Sequence, residues 1–123
     1  MKQFTLYTKP IPINQKFFVV RGRNILSNKY RDTKGALQQE IALEWRTEPL
    51  TGTVEMHLEL YFGDKRRRDI DAYLKILLDA MEGIVYENDC QVNTLLVHKD
   101  VDKDNPRVEV KIKWYERDNF SWW

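Results

Sequence analysis

The sequence predicts an α+β fold, a mostly antiparallel sheet with two main helices packed on one face. Three observations carry this reading. Segments in which apolar and polar residues alternate flank two segments with helical spacing. Their order is strands, helix, strand, helix, two strands, and not the strict strand–helix alternation of a doubly wound sheet. Pro, Gly and polar clusters fall between the periodic segments.

Phe4 and Leu6 alternate with Thr5 and Tyr7, a first strand that stops before Pro10 and Pro12. Phe17 to Val20, then Arg21-Gly22-Arg23-Asn24, then Ile25-Leu26 read as a hairpin with a basic, Gly-containing tip. Ser27-Asn28 can start a helix, along which Leu37, Ile41 and Trp45 recur at helical spacing. Glu48-Pro49-Leu50-Thr51-Gly52 breaks the chain. Val54, Met56, Leu58, Leu60 and Phe62 then alternate with Glu55, His57, Glu59 and Tyr61, the clearest strand of all. In a second helix Ile70, Leu74, Leu77, Leu78 and Met81 form an apolar stripe that sends Ile70 into the core, with Gly83 placed to cap its C-terminus. Val92, Thr94, Leu96 and His98 alternate with Asn93, Leu95, Val97 and Lys99. Val108, Val110, Ile112 and Trp114 form the apolar row of a last strand.

At 123 residues the chain is expected to form one domain over residues 1–123. Its 42% hydrophobic and 32% charged residues exclude a disordered composition. No apolar run is long enough to span a bilayer, so no membrane partner is expected. The N-terminal segment lacks a signal-peptide core, and the single Cys90 has no partner for an internal disulfide. A cytoplasmic location is therefore expected. The net charge of +1 hides an asymmetry. Residues 1–68 hold 13 Lys/Arg against 7 Asp/Glu, and residues 69–123 hold 7 against 12. The basic share peaks at Lys65-Arg66-Arg67-Arg68, directly before the densest carboxylates. Cations beside a nucleic acid neutralise phosphates, whereas carboxylates repel it unless they hold a metal ion.

The carboxylates of interest are Asp69 and Asp71, which flank Ile70. Two residues apart on an α-helix, their side chains would point about 200° apart and could not share an ion. They can converge if Asp69 lies just outside the helix and Asp71 in its first turn. Lys75, four residues beyond Asp71, projects from the same helical face. Asp89 lies beyond the helix, and an antiparallel return could bring it back near the helix start. Carboxylates gathered in this way suit Mg²⁺, and phosphodiester cleavage uses what such a site supplies. Lys75 could then steady the pentacovalent phosphate or hold the attacking water, while Arg66 to Arg68 hold the backbone. The same residues also fit plainer roles. Asp69 can be an N-cap, Asp71 can complement the helix dipole, and Asp71–Lys75 can be an ordinary ion pair.

The longer string Arg67-Arg68-Asp69-Ile70-Asp71, then Leu74-Lys75, Leu78-Asp79-Ala80 and Asn88-Asp89-Cys90-Gln91-Val92, resembles the RusA family of Holliday junction resolvases. The similarity is strongest over residues 66–99 and includes Lys99, where the family often carries a lysine. Ile11-Pro12-Ile13-Asn14, Gly22-Arg23, Leu26-Ser27 and Tyr30 look like the less specific N-terminal pattern of phage-type members. The resemblance implies that Asp69, Asp71 and Asp89 bind the metal, Mg²⁺ or Mn²⁺, and that Lys75 is catalytic. It also implies a homodimer that nicks two opposed strands of a four-way junction, branched DNA being its partner, in DNA recombination and repair. Two positions depart from the family pattern: Asn88 stands where an aspartate is usual, and Ala72 where an asparagine is common. A metal nuclease for other branched DNA and a non-catalytic junction-binding module are the competing readings. The second is disfavoured because a pure binder has no use for acids beside phosphates.

Arg21 and Arg23 at the hairpin tip either track phosphates or keep an edge soluble. His57 and His98 lack ligand-spaced partners and are expected to be ordinary surface or core residues. Cys90 is a poor ligand for a hard ion and is expected to be a small buried hydrophobe. Asp79 shares the Lys75 face with Glu82 and either reaches the site or simply pairs with Lys75, a structural role that is the preferred reading, while Glu87 is near enough in sequence to Asp89 to serve as a spare ligand but is more readily an ordinary acid. The closing Trp122-Trp123 could stack on bases or dock on protein.

Overall fold

The computed structural model describes residues 1–115, so the Trp122-Trp123 tail lies outside the described residues. Six strands and two α-helices follow in the expected order: β1 (Lys2–Leu6), β2 (Phe17–Val20), β3 (Arg23–Leu26), α1 (Asn28–Glu44), β4 (Val54–Phe62), α2 (Leu74–Met81), β5 (Val92–Val101) and β6 (Arg107–Trp114). The sheet order is β1-β6-β4-β5, and β2 and β3 form a separate two-stranded ribbon. β6 runs antiparallel to both β1 and β4, whereas β4 and β5 are parallel. A parallel pair requires a crossover, and α2 lies within it.

The core forms where the inward residues of the sheet meet the helices. Phe4, Leu6, Met56, Leu58, Leu60, Val108, Val110 and Ile112 pack against Tyr30, Leu37 and Ile41 of α1 and Ile76, Leu77, Ala80 and Met81 of α2. The start of α1 is fixed locally. The Ser27 hydroxyl accepts the Tyr30 N–H, a cap worth about 1 kcal/mol. At the hairpin tip Arg21 and Gly22 both have positive φ, 52° and 77°. A two-residue turn of type I′ requires this sign at both positions. Both ribbon strands expose their apolar side chains, including Phe17, Phe18, Val19 and Ile25.

Several expectations need correction. Ile70 is 39% exposed, because the α-helix begins only at Leu74 and Ile70 opens a 3-10 turn (Ile70–Tyr73) whose buried member is Tyr73. The alternation in β5 slips once: Val54 pairs with Val92 but Glu55 with Thr94. The extra residue at Asn93 puts Val92, Leu95 and Val97 together against the core. Glu55 and His57 on the polar side of β4 are buried, with Lys113 of β6 3.6 Å from Glu55, because β4 is an inner strand flanked on both edges. Trp114 ends its row at the sheet's margin, exposed, its indole N–H donating to the Thr51 carbonyl. Cys90 is exposed, since it sits in a surface 3-10 turn (Asp89–Gln91). Among the described residues, no helix is long and apolar enough to cross a membrane.

Candidate active site

The segment between β4 and α2 is held by its own charges. Asp64 accepts the backbone N–H of Arg66 at 2.9 Å and pairs with Arg68 at 2.8 Å. The hydrogen bond from Arg68, and then that from the Arg66 N–H, hold the Asp64 carboxyl below its usual range. The Arg68 guanidinium also lies 4.3 Å from the centre of the Phe62 ring, a cation–π contact. From β5, Lys99 donates to the Arg68 carbonyl. Arg68 is thus engaged with the protein, while Lys65, Arg66 and Arg67 are exposed.

These contacts set the conformation in which the chain reaches Asp69. Its backbone is extended (φ −81°, ψ 130°), and Ile70–Tyr73 then coil into the 3-10 turn. The Ala72 N–H donates to the Asp69 carbonyl, and Tyr73 packs at 5.1 Å on Phe62. Asp69 therefore lies outside the turn and Asp71 in its first turn, the arrangement that convergence needs. Two of the plainer roles are not realised, although Asp71 does stand in the first turn, where an acid complements the helix dipole. The Asp69 side chain makes no capping hydrogen bond, and Lys75 turns away from Asp71. Both carboxylates are exposed to solvent.

Lys75 projects from α2 onto Asp79, one turn further on, with 3.1 Å between charged atoms. Asp79 is a junction of contacts from three parts of the chain. The Tyr30 hydroxyl of α1 donates to its second oxygen at 2.5 Å, and Lys16, just ahead of β2, lies 3.7 Å from the same oxygen. Burial works to raise the Asp79 pKa, but the hydrogen bonds from Tyr30 and Lys75, reinforced by the charges of Lys75 and Lys16, outweigh it and hold the carboxyl below its usual range. The reciprocal effect holds Lys75 above the ordinary lysine value, first through Asp79 and then through the charges of Asp89 and Glu82. Tyr30 is raised by burial and by the same carboxylate. Lys75 is accordingly a firm cation.

Asp89 enters from the other end of the crossover. Because β5 is parallel to β4, and not the antiparallel return expected, Asp89 precedes the strand's start and lies beside the C-terminal end of α2. Its N–H donates to Glu82 at 3.1 Å. Eight residues of α-helix rise about 12 Å. Asp69 and Asp71 therefore stand a helix length from the Glu82 end. Among the described residues no three His, Cys, Asp or Glu side chains gather as a metal-holding group. The oxygen donors themselves suit a hard divalent ion, and Asp69 and Asp71 are unspent on protein donors. The fit is thus of an available pair, with Asp89 apart from it within one chain.

Asn88, a departure from the family pattern, caps the Asp89–Gln91 turn by accepting the Cys90 N–H, a role open to aspartate as well. Gln91 explains its place by bridging. Its amide oxygen accepts the Glu87 and Asn88 N–H groups, and its nitrogen donates to the Leu50 and Gly52 carbonyls. Ala72 is packed against the core, where the apolar residue fits. Glu87 is exposed, and so are Arg21 and Arg23 at the ribbon tip. Sequence reasoning passed over Lys16, Lys9 and Lys29. The last two join Arg66, Arg67 and Arg68 in an open cleft with Gln15, Thr33 and Tyr73 that contains no acidic residue among those described.

An α+β chain that sets a basic cleft beside free carboxylates and a fixed lysine has the make-up of a nucleic-acid phosphodiesterase. The family model for endodeoxyribonuclease RusA matches residues 8–113, most of the chain, and the chain belongs to that family. It is therefore an endodeoxyribonuclease of the kind that resolves Holliday junctions, acting on branched DNA. RusA nucleases are generally dependent on a divalent metal. A comparison with curated proteins returned no match.

Proposed function

We propose that this endonuclease resolves four-way junctions by paired symmetric nicks, as a Mg²⁺-dependent homodimer in which Mn²⁺ can substitute, in the cytoplasm during DNA recombination and repair. Asp69 and Asp71 are the proposed metal ligands of one protomer, and Asp89, which lies apart from them within a chain, is proposed to complete the set across the dimer, with Lys75 as the catalytic cation. Arg21, Arg23, Lys65, Arg66, Arg67, Arg68 and Lys99 form the proposed DNA-binding set. The observation that carries the reading is the state of Asp69 and Asp71. They remain solvent-facing and make no cap or ion pair with Lys75, although a turn N-terminus and a lysine are at hand.

Bound at these carboxylates, a hard divalent ion supplies Lewis-acid stabilisation of phosphoryl oxygen and a more acidic water. The protein's own residues do the rest. Arg67, and Arg66 with only an exposed 3.9 Å contact to Asp64, are placed to neutralise backbone phosphates on the approach to Asp69. Arg68 and Lys99 act mainly by holding the loop that carries Asp69. A lysine that keeps its proton is unsuited to be a general base. Lys75 is therefore assigned to stabilising charge that builds on the phosphate. The homodimer is supported by the free ribbon, whose exposed Phe17, Phe18, Val19 and Ile25 are apolar surface of a kind that interfaces bury. A two-fold dimer also presents two equivalent sites to a nearly two-fold junction.

The test is cleavage of an end-labelled synthetic four-way junction, beside a linear duplex of matching sequence, by the full chain with Mg²⁺. Symmetric nicks in the junction alone, lost in Asp71→Asn, are expected. Equal cutting of both substrates, or undiminished cutting by Asp71→Asn, overturns the proposal.

A further inference from the structure

Asp79 is absent from the catalytic assignment above, yet it gathers three polar partners, Lys75 among them. Its carboxylate is 14% exposed, and three partners converge on it, Lys75 from its own helix at 3.1 Å and, from distant parts of the chain, Tyr30 at 2.5 Å and Lys16 at 3.7 Å. A surface i,i+4 pair of lysine and aspartate is ordinarily loose and contributes little. This pair differs, because the acid is pinned from behind. Tyr30 is a buried residue of α1, and its hydroxyl occupies the oxygen that Lys75 does not use. Lys16 is anchored in turn, its ammonium lying 5.0 Å from the Tyr30 ring centre and its carbonyl accepting the Ser27 N–H. An acid fixed in this way can orient only what it holds, and what it holds outward is Lys75.

We infer that Asp79 is the positioning residue of Lys75, holding its ammonium in one orientation, with Tyr30 and Lys16 holding Asp79 in turn. The inference rests on the assignment of Lys75 as the catalytic cation. A group that stabilises developing charge is most effective when preorganised, so that no reorientation accompanies the reaction. The groups facing Lys75 and Asp79 are Asp89 and Glu82 beyond α2, Tyr30 of α1 and Lys16 ahead of β2. Asp89 and Glu82 add to the charge preference of Lys75 through space, whereas Asp79 is in direct contact with it. The arrangement also connects the base of the β2–β3 ribbon to the catalytic lysine through Lys16.

The experiment compares wild type, Asp79→Asn, Tyr30→Phe and Lys75→Ala as full chains in single-turnover junction cleavage with Mg²⁺ over a range of pH. Junction affinity is measured separately in chelator. For Asp79→Asn, affinity is expected within about two-fold of wild type and the cleavage rate lower by roughly ten-fold or more, as for a lost preorganising contact. The alkaline limb of its rate profile is expected to move to lower pH, since an unpaired lysine loses its proton more readily. Tyr30→Phe is expected to move rate and limb in the same direction by less. A folded Asp79→Asn protein with wild-type rate and an unmoved limb overturns the inference, while an inactive Lys75→Ala beside it leaves the assignment of Lys75 standing. An active Lys75→Ala overturns that assignment itself. Should Asp79→Asn not fold, the Lys75 ε-methylene titration followed by NMR in wild type and Tyr30→Phe decides. A Lys75 that titrates as an ordinary exposed lysine in both overturns the inference.

Discussion

Lys75 pairs with Asp79, one helical turn ahead of it, and not with Asp71, one turn behind. The choice leaves Asp71 and Asp69 free in solvent and commits the lysine's charge to a half-buried acid tied to α1. It separates two jobs that the sequence had placed on one helical face: the acids stay available to a cation, and the lysine is fixed.

Replacing Lys75 with Ala is expected to leave junction affinity nearly intact and to lower the single-turnover cleavage rate by roughly 10²-fold or more, the range for one preorganised stabilising group. Gel-shift titration in chelator and a quenched time course with Mg²⁺ measure the two effects. A parallel loss of affinity and rate would make Lys75 a general phosphate contact instead.

Asp69→Asn and Asp71→Asn are each expected to abolish cleavage, yet to bind junction in chelator at least as tightly as wild type. An exposed carboxylate without its metal repels phosphate, so its removal eases metal-free binding. Weaker metal-free binding by both variants would instead make these acids structural.

Lys9 and Lys29 share the acid-free cleft with Arg66 and Arg67. Lys9→Ala and Lys29→Ala are expected to weaken junction and duplex binding alike. Each that contacts a phosphate should reduce the slope of log affinity against log salt by roughly 0.9. An unchanged slope in the double variant would remove the cleft from the DNA path.

Asp79 gives the fold an acid dependence with a definite sign. Its carboxyl pKa is lower in the folded chain than in an unfolded one, so the folded state takes up this proton only at lower pH. The stabilisation is complete above the ordinary carboxyl range and is lost as pH falls through the folded value. The difference in thermal midpoint between wild type and Asp79→Asn is therefore expected to be widest near neutrality and to narrow in acid. A difference that widens in acid contradicts the assignment.

Gly83 follows α2 with φ at 84°. A Cβ there would meet nothing within 4 Å, so Gly83→Ala carries conformational strain alone. Holding an L-residue in the left-handed region costs about 1–2 kcal/mol. Denaturant unfolding is expected to show that loss with an unchanged m-value. No loss would mean that the turn can relax out of the left-handed region.

Local periodicity made the elements legible. The alternation in β4, the cap at Ser27, the hairpin and the glycine after α2 all depend on neighbours in sequence, and the structure reproduces them, with the hairpin tip shortened from Arg21–Asn24 to Arg21-Gly22. The ordered Asp69, Asp71, Lys75 and Asp89 string could be read in the same way, because the family pattern is linear. Ile70 departs from the apolar stripe because the α-helix begins only at Leu74. A 3-10 turn rotates successive side chains differently from an α-helix, and Tyr73 took the buried place.

Pairing across the chain was not legible. Whether β5 lies parallel or antiparallel to β4 depends on the crossover and not on either strand's alternation, and it decides which end of α2 Asp89 meets. Nor could spacing show that Tyr30, in another helix, would take one oxygen of Asp79, since such contacts exist only once α1 and α2 share a core. Which residues carry charge, and which lie on a helix or strand, could be read from the chain alone, because both follow from side-chain chemistry and short-range sterics. That Lys75 takes Asp79 over Asp71, and that Asp69 and Asp71 stay free, came only with the folded arrangement. A side chain's partner is settled by packing between elements that the sequence holds far apart.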